Sequence, residues 1–208
     1  MIENGEKSIG QNVKEVLSES SRLLIIRGIP GSGKTKLAQE LSERIGKNKI
    51  ALLDPDCIDT AGIEYSQFIS DLAKVDPALD QKYYPYRYLM QQARDSLRVG
   101  KIVIWNQPFT DLCGLKRTVD LLDEYSMGIS SSLHVVIIEL EASEDLARQR
   151  IARRALEGGH ALTEEKLTDF LRAYKSSSSL GYPTIQLDAT IRPTELSEEV
   201  MAVLDNNG

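Results

Sequence analysis

Cysteine and histidine are scarce in this chain, with two of each in 208 residues. Cys57 and Cys113 lie far apart and in no metal-ligand spacing, and His134 and His160 cannot close a zinc site by themselves. Two free thiols in a reducing compartment are therefore expected. Basic excess is also missing: the formal net charge is −6, which speaks against non-specific grip on a nucleic-acid backbone. No apolar run approaches the ~20 residues of a membrane helix. The N-terminal sequence MIENGEKSIGQNVKEVL is polar and acidic and has no apolar signal-peptide core. A cytoplasmic location is expected, and the length suits one domain spanning residues 1–208.

Short aliphatic runs alternate with longer amphipathic ones. LLIIR (23–27), KIALLD (49–54), KIVIWN (101–106), LHVVIIEL (133–140) and TIQLD (184–188) read as strands. Their apolar residues are nearly continuous, as in strands covered on both faces. Helical periodicity is read over 34–45, 86–98, 115–125, 143–157, 163–174 and 193–204. Ser143 and Thr163 stand where N-caps belong. Strand–helix alternation of this kind predicts an α/β fold with a parallel sheet between helical layers.

The first strand runs into Gly28-Ile29-Pro30-Gly31-Ser32-Gly33-Lys34-Thr35, which is G-x-x-x-x-G-K-T, the Walker A pattern. Glycines let successive N–H groups turn inward around phosphate oxygens. The helix that follows adds its N-terminal partial charge. Lys34 is expected to reach the β- and γ-phosphates, and the Thr35 hydroxyl to hold Mg²⁺. An ordinary glycine-rich turn would explain the glycines but not Lys34-Thr35 in that register. A Rossmann reading fails because Lys36 stands where G-x-G-x-x-G requires glycine. A guanine signature is missing too, since NKIA at Asn48 lacks the acid of Asn-Lys-x-Asp.

Three further stretches narrow the chemistry. Asp54 and Asp56 follow the second strand, at the sheet edge where open parallel sheets hold ligands. Either could act as base toward an acceptor hydroxyl, and Asp-Pro-Asp is also good turn chemistry. Strand alternation would place the two on one side, leaving the choice open. Arg148, Arg150, Arg153 and Arg154 crowd one helix. Arg150 and Arg154 are one turn apart, with Arg153 beside them, and guanidinium groups match phosphate oxygens. Gly158 and Gly159 offer a hinge, so a lid over roughly 148–165 is expected; a plain solvated helix is the alternative. Asn106 ends the third strand, where many P-loop proteins carry a metal-binding aspartate. Asn106 could hold a metal-bound water or a substrate hydroxyl. Residues 57–98 are expected to supply the acceptor side, with Arg87 for an anionic group and Tyr83, Tyr84, Tyr86 and Tyr88 for stacking or hydroxyl contacts. Trp105 and Phe109 are candidates for the same wall.

The glycine loop, DPD after strand two and the segment RQRIARR…GGH…TEE together resemble the small P-loop kinases, a group with zeta toxins, polynucleotide kinase domains and chloramphenicol phosphotransferase. The resemblance runs from Arg22 to about Leu187. It implies a three-layer P-loop NTPase sandwich with five parallel strands and a small helical lid. It also implies ATP with Mg²⁺, transfer of the γ-phosphoryl group to a hydroxyl, an aspartate base at Asp54 or Asp56, phosphate neutralisation by Arg150 and Arg154, and His160 in the lid. Asn106 departs from the group's pattern. The expected acceptor is a small metabolite, nucleotide or nucleotide sugar. The alternatives are a 5′-hydroxyl polynucleotide kinase and a non-catalytic nucleotide-binding regulator.

Overall fold

The computed structural model describes residues 22–129, 132–158 and 162–206. Five strands form one parallel sheet: β1 (Arg22–Gly28), β2 (Ile50–Leu53), β3 (Ile102–Asn106), β4 (His134–Glu141) and β5 (Thr184–Asp188). Their order is β2-β3-β1-β4-β5. The helices are α1 (Lys34–Ile45), α2 (Ile63–Val75), α3 (Tyr84–Arg98), α4 (Leu112–Met127), α5 (Glu144–Leu156), α6 (Glu164–Ala173) and α7 (Pro193–Asn206). The expected sandwich is present. Among the described residues no helix is long and apolar enough to cross a membrane, and Cys57 and Cys113 are exposed free thiols.

β1 occupies the centre because it is buried on both faces, and its alternation feeds two separate cores. Leu24 and Ile26 point toward α1 and α7, joining Leu37, Leu41, Leu196 and Val200. Leu23 and Ile25 point toward α3 and α4, joining Leu89, Ala93, Leu115 and Val119. In register, Ile26 stands opposite Asn106 of β3 and Ile138 of β4. The end of β3 is thereby fixed beside the start of the glycine loop.

Arg27 is the exception to an aliphatic strand. It is fully buried, and its Nη1 donates to Glu139 Oε1 of β4 at 2.9 Å. Its other N–H groups donate to the carbonyls of Pro108 (3.3 Å), Phe109 (3.0 Å) and Lys175 (2.9 Å). Tyr174 stacks on the guanidinium at 4.9 Å and donates its hydroxyl to Glu139 at 2.7 Å. The Ser177 amide and hydroxyl and the Ser176 hydroxyl satisfy the second carboxylate oxygen. Burial, and then the bond to Glu139, push the Tyr174 hydroxyl pKa far up, so it stays a donor. Phe109 adopts φ 46°, an uncommon conformation for a bulky residue, with its carbonyl held by Arg27.

The helices differ from expectation mostly at their ends: α3 and α4 begin earlier, while Ser143 and Thr163 cap α5 and α6 as expected, accepting from the amides of Leu146 and Lys166. β2 stops at Leu53, before Asp54. Helix α2 was not read from the sequence. It has no fully buried residue and no side-chain N-cap, so neither signal was available. It packs through Tyr65 and Phe68, edge-on to Tyr88 at 5.1 and 5.3 Å.

Replacing Glu139 by alanine strands a buried guanidinium, which costs about 3–5 kcal/mol. Urea unfolding of Glu139→Ala is expected to show a loss of that size. A loss below about 1 kcal/mol would mean that the ion pair does not anchor the C-terminal ends of β1 and β4.

Candidate active site

The glycine loop follows β1 and leads into α1, as its sequence predicts. Close packing explains two of its glycines. A Cβ on Gly28 (φ +149°) would lie 2.8 Å from the Leu140 carbonyl, and one on Gly31 (φ +83°) 2.7 Å from the Ala147 carbonyl of α5. The loop is therefore clamped between β4 and α5 with its backbone forced into turns that only glycine adopts easily.

Lys34 lies within the loop. Its ammonium donates to the carbonyls of Gly28 (2.9 Å) and Ile29 (3.1 Å). Loss of hydration in this enclosed position lowers its pKa to about 8, with Arg154 acting in the same direction and the carboxylates of Asp54 and Asp56 opposing.

Asn106, Thr35 and Asp54 form one cluster. The Asn106 Nδ2 donates to Thr35 Oγ1 at 3.0 Å and to Asp54 Oδ2 at 2.5 Å. The Asn106 Oδ1 is buried without a partner. Asp54 is buried, and its other oxygen accepts from the Asp56 amide at 2.9 Å, starting a short 3₁₀ turn (Pro55–Cys57). That turn corrects the premise that strand alternation extends to both aspartates. Asp54 faces the Thr35 cluster, while Asp56 is exposed; both line the same cleft. Asn106, expected as a substrate contact, instead commits its amide to the loop and to Asp54. The set suits magnesium: an alcohol and a single carboxylate leave room for waters and phosphate oxygens, which is how this ion is usually held. The orphaned Oδ1 can accept from such a water.

The arginine helix divides. Arg148 pairs with Glu144 and Glu164 and turns away from the cleft. Arg150 donates to the carbonyls of Ser32 (3.0 Å) and Ala189 (2.8 Å), with a longer contact to Gly31 (3.5 Å). It braces the glycine loop, which corrects its pairing with Arg154 in a common phosphate role. Arg153 and Arg154 are exposed and line the cleft. Arg153 lies 3.8 Å from Glu157. His160 and Gly159, read as lid residues, lie outside the described residues.

The cleft is a cavity of about 1520 Å³, large enough for a nucleotide and a second ligand. Arg87, Tyr83 and Tyr86 line it from the α3 side, and the largely buried Trp105 and Phe109 line it as well. Tyr88 is taken up by packing on α2 instead. Arg94, Gln107 and Arg117 also line the cleft. None of them was singled out from sequence. Helical spacing could have found Arg94, seven residues after Arg87; no local signal marks Arg117.

A family model described as AAA domain matches residues 23–176. A cytidylate kinase from Pyrobaculum aerophilum is 26% identical over 133 residues, covering 62% of this chain and 72% of that protein. A gluconokinase from Sinorhizobium meliloti shares 18% identity at TM-score 0.56, over 91% of this chain and 93% of that one. A putative kinase from Chloroflexus aurantiacus shares 19% identity at TM-score 0.60, over 88% and 98%. At these identities the solved structures speak for the fold, a five-stranded P-loop α/β sandwich.

The lowered Lys34 pKa has a direct consequence for polyphosphate binding. Phosphate oxygens favour the charged lysine, so its pKa rises in the complex. Below pH 8 the free protein already carries that proton; above it, binding must take one up. Calorimetry with ATP and magnesium in buffers of different ionisation enthalpy is expected to show uptake approaching roughly 0.9 proton at pH 9 and almost none from this group at pH 6.5. Affinity should fall roughly tenfold per pH unit above 8. Pure pH independence across this range would contradict a Lys34–phosphate contact.

Proposed function

This chain belongs to the AAA domain family, and from that premise we propose that it is an ATP- and magnesium-dependent kinase acting on the hydroxyl of a small molecule. One observation carries the reading: the Thr35–Asn106–Asp54 cluster sits at the mouth of the glycine loop, with Asp56 in the same cleft making no side-chain hydrogen bond among the described residues. The named kinases among the similar proteins agree with it.

The residues divide the work as follows. The amides of residues 29–35 and the Lys34 ammonium hold the phosphates. Thr35 and Asp54 would hold magnesium, which would supply charge neutralisation to the phosphates. Asp56 is the base: it accepts the acceptor's proton as the acceptor oxygen bonds to the γ-phosphorus and the bond to the ADP oxygen breaks. Asp54 has both oxygens engaged beside Thr35, which suits a metal-side role better than proton transfer. Arg154 approaches the transferring group from α5, while Arg150 keeps the loop in shape.

The regulator alternative rests on Asn106 standing where a metal aspartate is common. Asp54, within hydrogen-bond distance of that asparagine, offers a carboxylate from the end of β2 instead, which supports the kinase reading over it. The overall negative charge favours a small acceptor over a long nucleic acid.

Label from [γ-³²P]ATP is expected to appear in an acceptor drawn from a library of alcohols, nucleotides and oligonucleotide ends. Release of inorganic phosphate alone would refute the kinase assignment. Asp56→Asn should lower kcat by about 10²–10⁴ with little change in the KM for ATP. Asp54→Asn should instead raise the magnesium concentration needed for half-maximal rate. The reverse pattern would exchange the two roles.

A further inference from the structure

Several arginines on the surface of this protein meet an acid. Arg44 pairs with Glu198, Arg98 with Asp95, Arg148 with Glu144 and Arg192 with Glu195. Arg87, Arg94 and Arg117 have no such partner among the described residues, although the chain holds 31 acids against 25 lysines and arginines. All three line the cleft.

They reach it from two helices that pack together, α3 and α4. Leu89, Ala93 and Leu97 of α3 are buried against the sheet. Arg87 and Arg94 lie along one side of α3, two turns and about 10 Å apart, next to Met90, which packs partly buried against the same core. Arg117 of α4 stands beside Gly114 and Thr118 on the facing wall. Arg94 lies 5.4 Å over the Tyr125 ring, and its Nε is buried without a hydrogen-bond partner. A buried donor with no acceptor is costly, and an anionic oxygen would satisfy it.

The carboxylates of the cleft are otherwise placed. Asp54 and Asp56 lie at the phosphoryl-transfer end. Asp111 caps α4 by accepting from the Cys113 amide. Glu157 lies beside Arg153. Arg87, Arg94 and Arg117 thus remain without an acidic partner among the described residues, in a cleft that the largely buried Trp105 and Phe109 also line.

We infer that the acceptor carries a fixed anionic group, a phosphate or a carboxylate, seated on Arg87, Arg94 and Arg117 while its hydroxyl meets Asp56. This rests on the kinase reading and narrows it to a charged class of acceptor. The guanidinium fork matches both anions. Trp105 and Phe109 cover the uncharged body, and the Gln107 side chain is oriented by the Trp105 indole N–H at 3.0 Å.

Trp105 is the only tryptophan and reports on this wall by fluorescence. The full chain, saturated with magnesium and a non-hydrolysable ATP analogue, is titrated with matched ligands: a nucleoside against its 5′-monophosphate, and a sugar against its sugar acid and its sugar phosphate. At least one charged member is expected to bind tenfold or more tighter than its neutral partner, and the phosphate and carboxylate arms tell the two anions apart. Arg87→Gln and Arg117→Gln should each weaken that binding about 10- to 100-fold without changing affinity for the ATP analogue. Arg98→Gln, on α3 but outside the cleft, should change neither. Equal binding of neutral and charged partners, no binding of any charged member, or indifference to Arg87→Gln and Arg117→Gln overturns the inference. Arginine-dependent anion binding with no label transfer from ATP would instead uphold the anion seat and refute the kinase reading, so the two fail separately.

Discussion

The buried Arg27–Glu139 pair joins four parts of the chain that sequence keeps far apart. Arg27 belongs to β1 and Glu139 to β4, the two strands flanking the origin of the glycine loop. The same guanidinium holds the carbonyls of Pro108 and Phe109 after β3, and of Lys175 after α6. Removing two charges from water is expensive, and only a fully satisfied geometry offsets it. Here every guanidinium nitrogen and both carboxylate oxygens have partners. The direct result is positional. Gly28 follows Arg27, so the loop that receives phosphate, the wall bearing Phe109 and the return from the arginine helices are all referred to one fixed point.

Charge in this protein is sorted by place. The surface is acidic on balance, while the cleft presents Lys34 and several arginines with few acids to answer them. Low-dielectric walls focus such a field and favour anionic ligands. The lowered Lys34 pKa has another first cause, loss of hydration in the enclosed loop, with Asp54 and Asp56 opposing it and Arg154 adding to it. The ammonium is held there by the carbonyls of Gly28 and Ile29. On the proposed reading a polyphosphate takes the lysine over from those carbonyls, in a loop whose backbone is already in place.

Much of the nucleotide side was legible in the sequence because its information is local. Strand, glycine turn, lysine and threonine are consecutive, and each residue type has a backbone or charge reason to be there. The strands were legible for a similar reason: burial on both faces leaves nearly continuous aliphatic runs. Helix α2 was not legible, since it buries no residue fully and lacks a side-chain cap. Arg27 was hidden at the end of an aliphatic run, where a terminal arginine reads as solvent-facing. Its partner Glu139 lies 112 residues away, and pairing at that distance has no signature in one sequence. The arginine cluster was legible as a cluster but not by member. Arg148, Arg150 and Arg154 differ only in helical phase, and which phase faces the loop depends on how α5 packs against Gly31.

The two aspartates show how a small departure from regular structure decides chemistry. Had β2 continued through Asp56, both carboxylates would share one face and compete for one role. Pro55 prevents this, because it has no amide proton for a ladder bond and favours the first turn of a helix. The chain curls into a 3₁₀ turn instead, and the Asp54 carboxylate caps that turn by accepting from the Asp56 amide. Capping holds Asp54 inward against Asn106 and Thr35. The curl carries Asp56 outward into the cleft, where its side chain makes no hydrogen bond among the described residues. One residue thus stays with the phosphate-side cluster and the other is free to meet whatever hydroxyl the α3–α4 wall presents. The Asp-Pro-Asp turn underlies the separate roles proposed for these residues, since the turn is what separates the two carboxylates.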